Sequence, residues 1–248
     1  MQPKILITSG CSFTETVHPK SRLNGKSWAD WLAAELPNCV HVNTAQRSHG
    51  NGLISRSLIW SMTEALKTHD PSDILVGVMW SGPWRHDFFV EELPKQKHND
   101  GVYVKNPTNF VENSNYAGWI ICNHSWHNPV STAYYDTFWS MTGSLIYTIE
   151  HILRVQWFCE KHKIPYFMTT HTKDVFLDPF NHQQPDVHYL YQQIDFDHFL
   201  PVVGEHDWVR EHLDPSLDPG VHPSTEHHRQ FTKQVVLPFL EKKYNVTV

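Results

Sequence analysis

The first 80 residues alternate between short apolar runs and segments with helical spacing, and a similar alternation resumes later in the chain. The apolar, β-branched runs typical of buried strands are 5–8, 40–43, 73–80 and 164–170. The segments with helical apolar spacing or helix-start signals are 27–36, 53–66, about 133–162 and 224–244. Strands that alternate with helices in this way predict right-handed βαβ units around a central parallel sheet.

Two long segments interrupt this alternation. Residues 91–132 are rich in Asn, His, Trp and Gly, and residues 173–219 are rich in Pro, Asp, His and Tyr. Long insertions in a compact domain commonly form lids or binding loops, although peripheral packing is the alternative. With 248 residues, of which 40% are hydrophobic, we expect one α/β domain over 1–248 with insertions at about 91–132 and 173–219.

Composition excludes several classes of function. The formal net charge of -6 and the lack of a basic run argue against nucleic acid and anionic membranes as partners. No stretch approaches the roughly 20 apolar residues of a spanning helix, and no signal peptide is recognisable. The four cysteines are scattered without CxxC spacing, as is typical of reduced thiols. We therefore expect a cytoplasmic protein, and the sequence leaves its oligomeric state open.

Two polar segments near the chain ends fall where a parallel sheet collects ligands. Ser12 follows the first strand in Gly-Cys-Ser-Phe-Thr, and His222 precedes the last helix in His-Pro-Ser. Both positions map to the carboxyl edge of the predicted sheet, where ligands bind in open α/β folds. A serine becomes a nucleophile when a neighbouring base removes its proton, so the pair indicates a hydrolase. The thiol of Cys11 is an alternative nucleophile, and a capping or turn serine is the structural alternative for Ser12.

Together these blocks resemble the SGNH (GDSL-type) hydrolase superfamily. The resemblance implies a flavodoxin-like three-layer α/β/α sandwich, with Ser12 as nucleophile and His222 as catalytic base. It also implies an oxyanion hole built from the backbone N–H groups of Ser12 and Gly50, because Gly50 follows the second strand as the family's glycine block does. No cofactor and no metal are required for that mechanism.

Two positions depart from the family pattern. The family has an asparagine after the third strand, whereas this chain has Ser81-Gly82-Pro83. Ser81 or Arg85 is the candidate replacement donor, and an oxyanion hole of backbone N–H groups alone is the alternative. The family's aspartate lies three residues before the histidine, a position that Pro219 occupies here. Asp218, one residue earlier, is the candidate for orienting the imidazole, and a Ser12–His222 dyad is the alternative.

Further candidates concern the substrate. Asn51, Trp80, Trp84 and Arg85 fall on predicted loops or strand ends at the same edge and are candidate substrate-binding residues. Arg85 could pair with Asp87 in a structural salt bridge or with a substrate carboxylate. The leading hypothesis is a serine esterase that acts on a small-molecule or glycan ester, including an O-acetyl group on a carbohydrate. The alternatives are a catalytically degenerate binding protein on the same scaffold and a metal-dependent hydrolase that uses the histidine-rich second insertion.

Overall fold

The computed structural model describes residues 1–16, 25–90, 103–105, 118–123, 129–175, 184–202, 204–218 and 221–246. Its strands are β1 (Ile5–Ser9), β2 (Val40–Asn43), β3 (Ile74–Trp80), β4 (His86–Val90), β5 (Tyr103–Lys105), β6 (Gly118–Cys122) and β7 (Tyr166–Thr170). Its helices are α1 (Trp28–Glu35), α2 (Asn51–Ala65), α3 (Pro129–Thr137), α4 (Met141–His162), α5 (Pro185–Tyr191), α6 (Glu205–His212), α7 (Thr225–Phe231) and α8 (Leu237–Tyr244).

The central sheet is parallel and has the order β2-β1-β3-β7. Its strand side chains alternate between two cores, so that Ile5 and Ile7 pack towards α2 and α4, while Leu6 packs towards α1, α7 and α8. All residues of β1, β3 and β7 are buried, as expected for strands that are covered on both faces. The fold is therefore a flavodoxin-like three-layer α/β/α sandwich, which confirms the fold class expected from the sequence.

Local signals in the sequence set the starts of several helices. Ser27 caps α1 in a capping box with Asp30, and Ser224 caps α7 by accepting a hydrogen bond from the His227 N–H. The prediction of a single helix over 133–162 is wrong, because the structure divides this segment into α3 and α4. Ser140 provides the new start, and its side chain accepts from the Gly143 N–H at 3.0 Å.

The last helical segment contains a π-helical turn at Thr232–Val236 between α7 and α8. Pro238 lies near the start of α8, where its missing N–H is tolerated in the first turn. The single helix expected over 224–244 is therefore continuous in path but changes its hydrogen-bonding pattern in the middle.

A second, antiparallel sheet has the order β4-β6-β5, and its first strand, β4, follows β3 directly along the chain. It begins at His86, so the first insertion starts earlier than the expected boundary at residue 91. The reason is that 86–90 is itself a strand, paired along its length with β6. Within the part of the chain described above, no helix is both long and apolar enough to cross a membrane.

Candidate active site

Ser12 lies on a tight turn just beyond the carboxyl end of β1. The Thr14 and Glu15 N–H groups both donate to the Cys11 carbonyl at 3.0 Å, which fixes the turn around Ser12. A Cβ at Gly10 would lie 2.3 Å from Thr14 Oγ1, so only glycine allows the chain to turn so closely here. Cys11 is fully buried in the core, which removes its thiol from the candidates for the nucleophile. Ser12, in contrast, is only half-buried.

His222 comes to Ser12 from the opposite end of the chain. Its Nε2 lies 2.6 Å from Ser12 Oγ, which is hydrogen-bonding distance. The Ser224 cap of α7 fixes the residues that follow His222, and the indole N–H of Trp31 donates to the Thr225 carbonyl at 3.1 Å. The sequence therefore correctly places Ser12 and His222 together, 210 residues apart along the chain.

Two residues that the sequence did not single out lie around His222: Phe13 contacts its ring, and His206 contacts the chain shortly before it. The ring of Phe13 packs against that of His222 with centroids 4.7 Å apart. His206 Nε2 lies 3.1 Å from the Asp218 carbonyl, and because a carbonyl can only accept, this nitrogen carries the proton. His206 thereby ties α6 to the chain just before His222. Their scattered positions in the sequence give no signal of this role.

The environment of His222 favours the neutral imidazole. Burial lowers its pKa below the usual 6.5, and the nearby basic groups of His228, Arg85 and His206 lower the pKa further. His228 is itself paired with the fully buried Glu205, with Nδ1 2.6 Å from Oε1. A neutral imidazole has a free lone pair on one nitrogen, so His222 can accept a proton from Ser12 at neutral pH.

Asp218 does not reach the catalytic imidazole. Its side chain is exposed, and among the described residues its carboxylate forms no ion pair or hydrogen bond with His222. Only the main chain of Asp218 takes part, through its carbonyl, which accepts from His206 Nε2 and from the Val221 N–H. Pro219 lies outside the described residues. In the described structure, Ser12 and His222 form the dyad that the sequence left as the alternative to a triad.

The backbone N–H of Gly50 has a structural role that the sequence did not predict. Its N–H donates to Asp87 Oδ1 at 3.0 Å, and the Leu53 N–H donates to Asp87 Oδ2 at 3.0 Å. Asp87 thus caps the N-terminus of α2, where backbone N–H groups and the helix dipole favour a negative charge. Burial nevertheless raises the pKa of Asp87 to about 6, against the lowering effect of these hydrogen bonds. The Gly50 N–H is therefore not directed at a substrate, contrary to its expected place in the oxyanion hole.

The other two expected oxyanion donors, Ser12 and Ser81, differ in whether their N–H groups are already hydrogen-bonded within the protein. Within the described residues, the Ser12 N–H donates to no protein acceptor. The Ser81 N–H, in contrast, donates to Asn51 Oδ1 at 2.9 Å, and Asn51 Nδ2 returns a bond to the Ser81 carbonyl at 3.0 Å. Asn51 is fully buried and joins α2 to the end of β3, so it does not bind substrate as expected. The Ser81 hydroxyl is buried without a hydrogen-bond partner in the described structure and remains a candidate donor.

Of the two tryptophans expected to contact the substrate, one lies in the core and one is partly exposed. Trp80 is fully buried, and its indole N–H lies 3.3 Å from Met168 Sδ, so it is a core residue and not a substrate contact. Trp84 is partly exposed, and its ring centroid lies 6.2 Å from that of His171 at the edge of the site. His171 in turn contacts Phe13, with centroids 5.4 Å apart.

Comparison with known proteins identifies the family. A family model matches residues 16–242, which is most of the chain. The chain belongs to DUF6071, a family of unknown function. No curated protein matches the sequence. Among solved structures it is similar to a member of the lipolytic protein G-D-S-L family from Veillonella parvula DSM 2008, with a TM-score of 0.43 and 8% sequence identity over 97% of this chain and 98% of that chain.

Arg85 completes the site of this DUF6071 protein. The expected alternative pairing with Asp87 does not form, because no ion pair joins the two side chains in the described structure. The charge of Arg85 nevertheless lowers the pKa of Asp87, and it also lowers the pKa values of His49, His171 and His222, which lie near the guanidinium. Among the described residues, no three His, Cys, Asp or Glu side chains are grouped to hold a metal ion, and His182 lies outside those residues.

Proposed function

We propose that this protein is a serine hydrolase of SGNH type that cleaves a carboxylic ester. The observation that carries the proposal is the 2.6 Å contact between Ser12 Oγ and His222 Nε2 at the carboxyl edge of the parallel sheet. The neutral imidazole favoured by burial supports the role of general base. The partly exposed ring of Trp84 supports an organic ester substrate, of which an O-acetyl carbohydrate is one case.

In the proposed mechanism, Ser12 Oγ attacks the ester carbonyl while its proton passes to His222 Nε2. The resulting oxyanion accepts a hydrogen bond from the Ser12 N–H, with the Ser81 hydroxyl as a second donor. His222 then gives the proton to the leaving alcohol as the carbon–oxygen bond breaks, which produces an acyl-serine. Water, deprotonated by the same imidazole, attacks the acyl-serine and releases the acid and free Ser12.

A non-catalytic binding protein on the same scaffold is the second candidate. Two observations favour it: the Gly50 N–H is engaged by Asp87, and the Asp218 carboxylate lies away from His222. Both remove parts of the machinery that the family resemblance implies. A hydrolase that lacks one oxyanion donor is expected to lose about 10²–10³ in rate, which still leaves measurable turnover.

Hydrolysis of 4-nitrophenyl acetate separates the two candidates. The hydrolase predicts turnover that Ser12→Ala and His222→Ala each reduce by about 10³ or more. Cys11→Ala tests the buried thiol, and Ser216→Ala is the matched control because Ser216 is an exposed serine away from the site. Equal turnover by Ser12→Ala and the unmodified protein would reject the proposal in favour of the binding protein.

A further inference from the structure

Several buried polar groups next to the Ser12–His222 dyad have no protein partner. Both ring nitrogens of His49, the hydroxyl of Ser81 and the Nε of Arg85 are buried without a hydrogen bond among the described residues. His49 itself is fully buried. Unpaired buried polar atoms cost free energy and are uncommon, so such a group of them at one sheet edge indicates a polar ligand.

The three residues converge on the carboxyl edge of the sheet. His49 immediately precedes the N-cap of α2, and Ser81 immediately follows β3. Arg85 Nη1 reaches the His49 carbonyl at 3.5 Å, which places the guanidinium beside His49. The influence of Arg85 on the pKa of His222 places the same positive charge close to the dyad.

Arg85 forms no direct ion pair within the described structure. Its charge lowers the pKa of Asp87, two residues away, but the Asp87 carboxylate accepts its hydrogen bonds from the Gly50 and Leu53 N–H groups. The neighbouring histidines do not compensate the charge, because burial and Arg85 lower the pKa values of His49 and His171 to about 3, which leaves both rings neutral. The result is a fixed cation beside neutral hydrogen-bond donors, an environment that favours an anion.

We propose that Arg85, assisted by His49, binds a carboxylate carried by the ester substrate. The planar guanidinium matches a carboxylate by two parallel N–H···O bonds, and its Nε has no other partner. This inference rests on the proposed function: it narrows the substrate class to esters with an anionic acid group near the scissile carbonyl.

The inference is tested by comparing the turnover of two acetyl esters, of which one carries a carboxylate and the other is uncharged. The substrates are 4-acetoxybenzoate and its methyl ester, and the quantity measured is the ratio of their kcat/KM values. Arg85→Met is expected to lower this ratio about tenfold or more, and Arg85→Lys is expected to retain most of it because the charge remains. Arg154→Met is the matched control, since Arg154 is exposed on α4. A ratio that Arg85→Met leaves within about twofold of the unmodified protein would overturn the inference.

A binding measurement keeps this inference separate from the proposed function. Calorimetry on Ser12→Ala compares 4-acetamidobenzoate with its methyl ester, neither of which requires turnover. Tighter binding of the carboxylate, lost in Ser12→Ala/Arg85→Met and kept in Ser12→Ala/Arg85→Lys, supports the anion site even if no ester is hydrolysed. Equal binding of the two compounds contradicts the site even if Ser12-dependent hydrolysis is found.

Discussion

Acidification is expected to destabilise this protein because three buried histidines are neutral in the folded state. His49, His151 and His171 are each at most 5% exposed, and burial lowers the pKa of each to about 3 from the ordinary 6.5. A basic group whose pKa is lowered by folding contributes stability above its unfolded pKa. That contribution is lost as the pH falls from about 6.5 towards about 3.

The magnitude follows from the protons bound on unfolding. At about pH 5.5, each of the three histidines takes up about 0.9 proton when the chain unfolds. Asp87 opposes them: its pKa is raised to about 6, so its contribution is present at low pH and is lost as the pH rises through about 6. It releases about 0.7 proton on unfolding, which leaves these four groups a net uptake of about 2 protons. His86, whose pKa burial lowers to about 4, adds uptake in the same direction. The free energy of unfolding is therefore expected to fall by at least about 2.7 kcal/mol per pH unit near pH 5.5.

Urea unfolding followed by tryptophan fluorescence, between about pH 7.5 and about pH 5.5, measures this slope. His151→Gln is expected to lower the slope by about one proton, because it removes one of the three histidines that take up a proton on unfolding. Asp87→Asn is expected to steepen the slope by about 0.7 proton, since it removes the opposing group. A free energy of unfolding that stays constant or rises on acidification would refute the reasoning.

Three further predictions concern the site. The acid limb of kcat/KM for 4-nitrophenyl acetate is expected at a pKa below 6.5, because burial lowers the pKa of His222; a limb above 6.5 would contradict this. Gly50→Ala is expected to cost about 1–3 kcal/mol of stability in urea unfolding, since its Cβ would lie 2.6 Å from Asp87 Oδ2. Thr63→Ala is the control, because Thr63 is exposed on the same helix; equal stability losses in both variants would refute the capping role. Asp218→Asn is expected to retain kcat within about tenfold, because the carboxylate lies away from His222; a loss of about 10⁴ would reinstate the triad.

The elements that the sequence predicts well are those with local signals. The capping boxes at Ser27 and Ser224 and the buried β-branched runs mark α1, α7 and the parallel strands because each depends on neighbouring residues. The meeting of Ser12 and His222 also follows from strand order, since parallel strands bring their carboxyl ends to one edge. These predictions needed no knowledge of long-range packing.

The remaining site residues depend on contacts that sequence spacing does not encode. Gly50 sits in a glycine-rich turn that suits an oxyanion donor, but Asp87, 37 residues later, takes its N–H. His206 acts through the Asp218 carbonyl, so the identity of residue 218 gives no indication of the contact. The predicted strand over 73–80 ends at Trp80 as β3 does, but the sequence does not show that the Trp80 side chain packs into the core against Met168.

Labelling with a fluorophosphonate probe tests the central claim most directly, because such a probe forms a covalent bond only with an activated serine. Intact-mass and peptide analysis of the unmodified protein is expected to show one adduct, located on Ser12, absent in Ser12→Ala and strongly reduced in His222→Gln. Absence of any adduct, or an adduct that persists in Ser12→Ala, would contradict the account.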